Sequence, residues 1–440
     1  MSGCEHLSLL YALPFVGLLL SIAMGPLAMP HFWEHHQGKI AAAWALAFVV
    51  PAIVVCGFQG VAHELLKVAL SEYVPFLLLV TALFVTAGGI VVDGRLAGTP
   101  WRSTGLLAAG AFLASILGTT GASMVLVRPL LKGLSSRRRK VHTVIFFIFL
   151  VSNIGGCLTP VGDPPLFLGF LNGVPFLWTL HALPAMLFVT ASLLAIHFVI
   201  DWRAWWKETD RTLARVEDAE VGFGIRGKRN LGLLLLVVLT VLLSGLWPDA
   251  ASVVLAGVAV PVPGLVRDVV LLAVLLVSAF TTSPRLHQAN SFSWGPVQEV
   301  AKLFAGIFVC LVPIMEILRE GTHGPLGWLI ASVTSPLRFF WASGILSSFL
   351  DNAPTYLLFF HVAGGAHQLS QLLSEGTTLL AISLGSVFMG ANSYIGNAPN
   401  FLVKTIAQDH GVKMPSFGGY LLWSGGILVP LFCLTGWIFF

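Results

Sequence analysis

Apolar runs of about twenty residues, the length a helix needs to cross hydrocarbon at about 1.5 Å per residue, recur along this chain. Eight stand clear, at roughly 8–29, 40–59, 74–92, 175–200, 230–247, 266–284, 299–319 and 416–440. A soluble core could not hide them, because charged residues make up only 10% of the 440, where a soluble domain carries about 25%. Inside a bilayer each backbone N–H and C=O must be satisfied within the segment, which favours helices. The expectation is an all-α polytopic protein of the plasma or inner membrane, its main partner the lipid bilayer. The net charge of +4 sits in loops and indicates no nucleic-acid partner. Cys4, Cys56, Cys157, Cys310 and Cys433 are scattered without a C-x-x-C pair, so neither a disulfide framework nor a zinc site is expected. The start, MSGCEHLSLL, lacks a basic n-region and reads as a retained helix. Residues 248–265, short, apolar and Pro-containing, read as an irregular or re-entrant connection.

Four further apolar tracts are interrupted. The tract 104–131 is broken by Gly118-Thr119-Thr120-Gly121, and 142–171 by SNIGGCLTPVGDPP; 336–363 and 376–407 are broken likewise. Each half of 104–131 has about 13 residues, about 20 Å of helix and too short to cross, so this tract is expected to be a re-entrant hairpin. Lys132, Arg137, Arg138, Arg139 and Lys140 form one basic segment. Arg203, Lys207, Arg211, Arg215, Arg226, Lys228 and Arg229 lie in the only long polar stretch, 201–229. Both segments should be cytoplasmic. The hairpin then places 285–298 inside, and 364–375 and both termini outside; a single crossing by 104–131 would move the N-terminus inside.

Val161-Gly162-Asp163-Pro164-Pro165-Leu166-Phe167-Leu168 matches Ile395-Gly396-Asn397-Ala398-Pro399-Asn400-Phe401-Leu402 at an offset of 234. Thr119-Thr120-Gly121-Ala122-Ser123 sits opposite Asp351-Asn352-Ala353-Pro354-Thr355, and Ala82-Leu83-Phe84-Val85 opposite Gly306-Ile307-Phe308-Val309. Three matches in order indicate duplication. Each half holds three spans, a hairpin, a broken helix and a closing span. That odd number of crossings inverts the second copy, as in secondary transporters, where paired breaks mark the binding site.

A helix broken at mid-membrane leaves backbone groups that must line a polar cavity or hold a ligand. The first half offers Thr119, Thr120, Ser152, Asn153, Thr159 and Asp163, with Gly155 and Gly156 as backbone ligands. The second offers Asp351, Asn352, Thr355, Asn392, Ser393 and Asn397, with Gly396. Small neutral oxygen donors with two carboxylates suit a hard monovalent cation such as Na⁺. An intramembrane carboxylate costs about 2.5–3.5 kcal/mol on insertion scales and is functional by default; it can hold a proton or a cation by turns. The competing reading makes Asp163 a helix N-cap ahead of Pro164. Lys404 could neutralise a carboxylate or snorkel to the headgroups. Glu316 reads as an interfacial acid, His181 and His197 as packed or hydrogen-bonded, and His31, His35 and His36 as a cytoplasmic loop cluster. His63-Glu64 begins no zincin motif, because the fifth position is Lys67. With no Gly-x-Ser-x-Gly and no cofactor fingerprint, an enzyme is not expected, nor any cofactor; Na⁺ and H⁺ enter as transported ions.

SNIGGCLTPVGDPPLFLGF resembles the broken-helix signature of the ion transporter superfamily. GTTGASMVLVRPLL and SSFLDNAPTYLLFF are similar to its hairpins, and GANSYIGNAPNFLVKTIA to its second broken helix. The nearest resemblance is to NhaD-type sodium/proton antiporters and citrate transporters. It implies scaffold spans at 1–92 and 230–319, transport elements at 93–200 and 320–440, and a cytoplasmic linker at 201–229. It also implies dimerisation through the scaffold and elevator-type alternating access. It puts cation sites at Thr119, Thr120, Ser152, Asn153, Asp163, Asp351, Asn352, Asn392, Ser393 and Asn397. Dicarboxylate carriers carry Ser-Asn-Thr at both tips; here the tips read Gly-Thr-Thr-Gly and Leu-Asp-Asn-Ala-Pro. The function expected is Na⁺/H⁺ exchange, with a cation-coupled carrier of citrate or another organic anion as the alternative. Arg128 is the only basic residue near a tip and is expected at the membrane edge.

Overall fold

A computed structural model describes residues 8–94, 96–208, 224–247 and 251–440. Among these residues, nine helical stretches are long and apolar enough to cross a membrane. The protein is a multi-pass membrane protein built almost wholly of helices.

After a 3₁₀ turn, α1 (Leu13–Ala28) leads into α2 (Pro30–Cys56). Pro at its first position starts α2 early, so His31, His35 and His36 lie on its opening turns and not in a loop. His35 and His36 bond through Nδ1 to the carbonyls of His31 and Phe32. The third span also begins before residue 74. α3 (Phe58–Val68) runs through a π turn (Ala69–Tyr73) into α4 (Val74–Gly88). α3 is amphipathic, which made its polar face read as loop. Cys56 is disulfide-bonded, against expectation; a bridge closed by the fold leaves no C-x-x-C trace in the sequence.

Strand β1 (Val91–Asp93) pairs antiparallel with β2 (Gly224–Arg226), Val91 opposite Arg226. Between them come helices α5 (Pro100–Leu117) and α6 (Thr119–Gly133). Gly118, at φ +74°, makes the turn between them; this left-handed conformation favours glycine. A Cβ on Gly110 would lie 3.1 Å from Leu126 Cδ1, so residues equidistant from the turn face each other. The outer ends also meet: Arg137 Nη1 donates to the Gly98 carbonyl at 3.2 Å. The α5–α6 unit therefore enters and returns on one end of the molecule. α5, at 18 residues, is longer than the half-crossing expected; the closed ends, not shortness, make this a hairpin.

The first broken helix is α7 (Val141–Leu150), a 3₁₀ turn (Ile154–Leu158) and α8 (Pro164–Leu171). A further 3₁₀ turn leads to α9 (Leu183–Trp206). Three long helices follow: α10 (Lys228–Leu246), α11 (Val262–Thr281) and, after the short α12 (Pro284–Ala289), α13 (Gly295–Arg319). The connection expected to be irregular is a β-hairpin of β3 (Ser252–Leu255) and β4 (Val258–Pro261). Ala256 and Gly257, both at positive φ, form the kind of turn that suits strand twist; alternating Val residues were its sequence signal.

Beyond the short α14 (Gly327–Ser332), α15 (Pro336–Phe349) and α16 (Asn352–Val362) form a second hairpin turned at Leu350–Asp351. Phe339 and Phe359 pack edge to face across it, 6.5 Å apart. After α17 (Leu369–Glu375), the second broken helix comprises α18 (Thr377–Met389), a 3₁₀ turn (Gly390–Asn392) and α19 (Ala398–Asp409). α20 (Phe417–Phe439) closes the chain.

The two basic segments share one end of the molecule. Arg137 Nε lies 3.0 Å from Glu208 Oε2 and Arg137 Nη2 2.7 Å from Asp201 Oδ1. Asn290 donates to the carbonyls of Gly88 and Ile90 at the same end. Arg211 and Arg215 lie outside the described residues.

Candidate ion site at the two breaks

Both breaks are built alike. Thr159 donates its hydroxyl to the Ser115 carbonyl at 2.5 Å and accepts from the Gly162 amide at 3.1 Å. Ser393, 234 residues later, donates to the Ser348 carbonyl at 2.5 Å and accepts from the Gly396 amide at 3.1 Å. Each hydroxyl ties an unwound stretch to the neighbouring hairpin. Within each break two glycines cross closely: a Cβ on Gly396 would lie 2.5 Å from the Gly390 carbonyl, and one on Gly162 would collide with that of Gly156.

Asp163 lies at the centre and is 1% exposed. It occupies the N-cap position of α8, but its side chain makes no cap hydrogen bond. Thr119, at the first hairpin tip, donates its hydroxyl to Asp163 Oδ1 at 2.8 Å. Asn352, at the second tip, donates Nδ2 to Oδ2. Asn397, from the second break, reaches Oδ1 at 3.4 Å. One carboxylate thus joins elements as far apart in sequence as Thr119 and Asn397. The tip is further pinned by the Thr119 amide, which donates to the Gly162 carbonyl at 2.8 Å.

A second cluster adjoins it. Asn397 Nδ2 also donates to the Ser152 carbonyl at 3.0 Å and to Asn153 Oδ1 at 3.3 Å. Asn153 Nδ2 donates to Asn400 Oδ1 at 2.7 Å and to the Ile148 carbonyl at 2.8 Å. Ser152 and Ser123 share a hydroxyl hydrogen bond of 2.8 Å. Asn400 and Ser123 had not been singled out in the sequence. Asn400 stands where the first repeat has Leu166, and a polar residue replacing an apolar one in register was the available sign.

Other expected residues do not converge on Asp163. The Asp351 carboxylate caps its own helix, accepting from the Ala353 amide at 3.1 Å. Thr355 bonds back to the Asp351 carbonyl. The Gly155 carbonyl accepts from Ser115. Asn392 donates to Ser348 Oγ at 2.9 Å. Lys404 Nζ sits 4.6 Å from the centroid of the Tyr394 ring, a cation–π contact. His181 bonds to the Trp178 carbonyl, and His197 to Thr104 and Thr143.

The space beside Asp163, lined also by Thr119, Thr120, Leu83 and Phe167, has a volume of about 30 Å³, room for one or two water-sized particles. The side-chain oxygens Asn352 Oδ1 and Asn392 Oδ1 are buried without a hydrogen-bond partner. A buried acceptor in that condition is costly and is available to a cation. The arrangement can hold a proton or a small cation on one carboxylate enclosed by neutral oxygens.

A transporter-family profile described as "Putative citrate transport" matches residues 4–440. An uncharacterized transporter of Mycobacterium tuberculosis is 28% identical over 344 residues, covering 73% of this chain and 72% of its own. One from Mycobacterium bovis matches to the same extent.

Proposed function

The chain belongs to this family of transporters, and from that premise we propose that it exchanges Na⁺ for H⁺ by alternating access. The observation that carries the reading is the shared hold on Asp163 by both hairpin tips and the second break. Na⁺ and H⁺ compete for this carboxylate, with Asn352 Oδ1 and the Thr119 hydroxyl as further oxygens, and Asp351 biasing the site by its charge. The two halves act as inverted repeats, an arrangement supported by the matching bonds of Thr159 and Ser393. The hairpins and broken helices move together as one rigid unit against the scaffold spans, in a homodimer.

The test is a pH change driven by a Na⁺ gradient across proteoliposomes of the intact protein. Exchange above that of protein-free vesicles is expected; its absence at every pH between 6 and 9 overturns the proposal. The second reading, a cation-coupled carrier of citrate or a related anion, draws on the family description. A cavity of about 30 Å³ beside Asp163 favours the bare ion. Gradient-driven uptake of radiolabelled citrate in the same vesicles, without proton exchange, would establish the carrier instead.

A further inference from the structure

A second polar cavity of about 440 Å³ opens where the two basic segments meet. Arg128 and Lys132 line it from one face of α6, four residues apart. Lys140 adds a charge at the start of α7, and Arg226 another from β2. Among the described residues, the only carboxylate in the lining is Asp93, and both its oxygens already accept from Arg226, at 2.5 and 2.9 Å. Arg128, Lys132 and Lys140 therefore face the space without a paired acid in its wall. Arg128, one of the lining residues, also keeps a buried Nη1 without a hydrogen-bond partner, so its guanidinium is not tied to another group through that nitrogen. α7 begins at Val141 with no side-chain cap; its free N–H groups add positive potential. Ser135 and His410 complete the polar wall.

We propose that this cavity binds a multivalent oxyanion, and that the bound anion clamps two groups of elements together. Arg128, Lys132 and Lys140 belong to the hairpin and the broken helix that hold Asp163. Arg226 and Asn290 belong to the ribbon and loop beside the long helices. An anion touching both groups favours the arrangement described here over any in which they separate. The proposal does not depend on which ion Asp163 carries.

The test uses the full chain in zwitterionic nanodiscs, with thermal stability measured against inorganic pyrophosphate and against citrate. A saturable rise in Tm, with apparent affinity weakened at least tenfold in Arg128→Gln and Lys132→Gln, is expected. If only nanodiscs containing phosphatidic acid, whose phosphomonoester can carry two charges, give a rise that these variants lose, the oxyanion is a lipid headgroup and the site stands. No rise with any probe overturns the proposal. So does a rise untouched by both variants, or one abolished by Asn397→Ala instead, which would assign the anion to the Asp163 site. The last outcome would support the organic-anion reading, so the two failures are separable.

Discussion

The two breaks share a backbone and differ in charge. Thr159 and Ser393 make the same pair of bonds, and a close glycine crossing follows in each. At the next position the first break has Asp163 and the second Asn397. The first therefore supplies an acceptor with a removable charge, and the second an amide that donates to it. Leu166 and Asn400 differ in the same sense, since Asn400 reaches across to hold Asn153. The two breaks thus share a frame, one supplying the central carboxylate and the other an amide that steadies it.

The strongest challenge to that division is Asp163→Asn. It should lower Na⁺-driven proton exchange at least a hundredfold in proteoliposomes, whereas Asp351→Asn, which keeps a capping oxygen, should retain most activity. Equal losses would mean that the charge is shared between the halves. Asn397→Asp comes next: it places a second carboxylate about 3.4 Å from the first, where two like charges cannot both ionise. The expected result is a loss of exchange at neutral pH, with partial recovery when Asp163→Asn is added. No recovery would show that the halves are not interchangeable around the charge.

Smaller effects probe the frame. Gly118→Ala forces a side chain into a backbone region essentially restricted to glycine (φ +74°, ψ +152°) at a cost of about 1–3 kcal/mol, and the second tip has no equivalent glycine. Denaturation in detergent should show that loss for Gly118→Ala; unchanged stability would mean that the first tip, like the second, does not need a glycine. Smallest and most diagnostic is the pair Thr159→Val and Ser393→Ala. Each removes a hydroxyl that donates one hydrogen bond and accepts another, about 1–2 kcal/mol together, and the two losses should be alike. A large disparity would show that the shared geometry conceals different loads.

The elements that run with an uninterrupted apolar period were legible in the sequence, and so were the breaks, because Gly, Pro and Asx punctuate them. Asp163, Thr119, Asn352 and Asn397 were named from that punctuation alone. What could not be read was direction. Asp351 and Asn352 are neighbours, yet one caps a helix and the other reaches Asp163. Arg137 counted as one of five basic loop residues, but it is 2% exposed and bound to Asp201 and Glu208. Which member of a charged run turns inward depends on partners 64 and 71 residues away. Asn400 and Asn153, 247 positions apart, present the same difficulty over a longer reach. The β3–β4 hairpin was missed for another reason: a short apolar stretch holding Pro248, Pro261 and Pro263 reads as an irregular connection, and its pairing is seen only once the strands meet.

Because separate arms of the molecule grip the same pair of oxygens, whatever occupies Asp163 is felt by all of them at once. A particle arriving there must loosen or tighten Thr119, Asn352 and Asn397 together. In the proposed exchange the arms then share a latch, and a half-opened passage, with one tip released and the other still closed, would forfeit the released tip's bond. Leakage is discouraged by cohesion rather than by a plug.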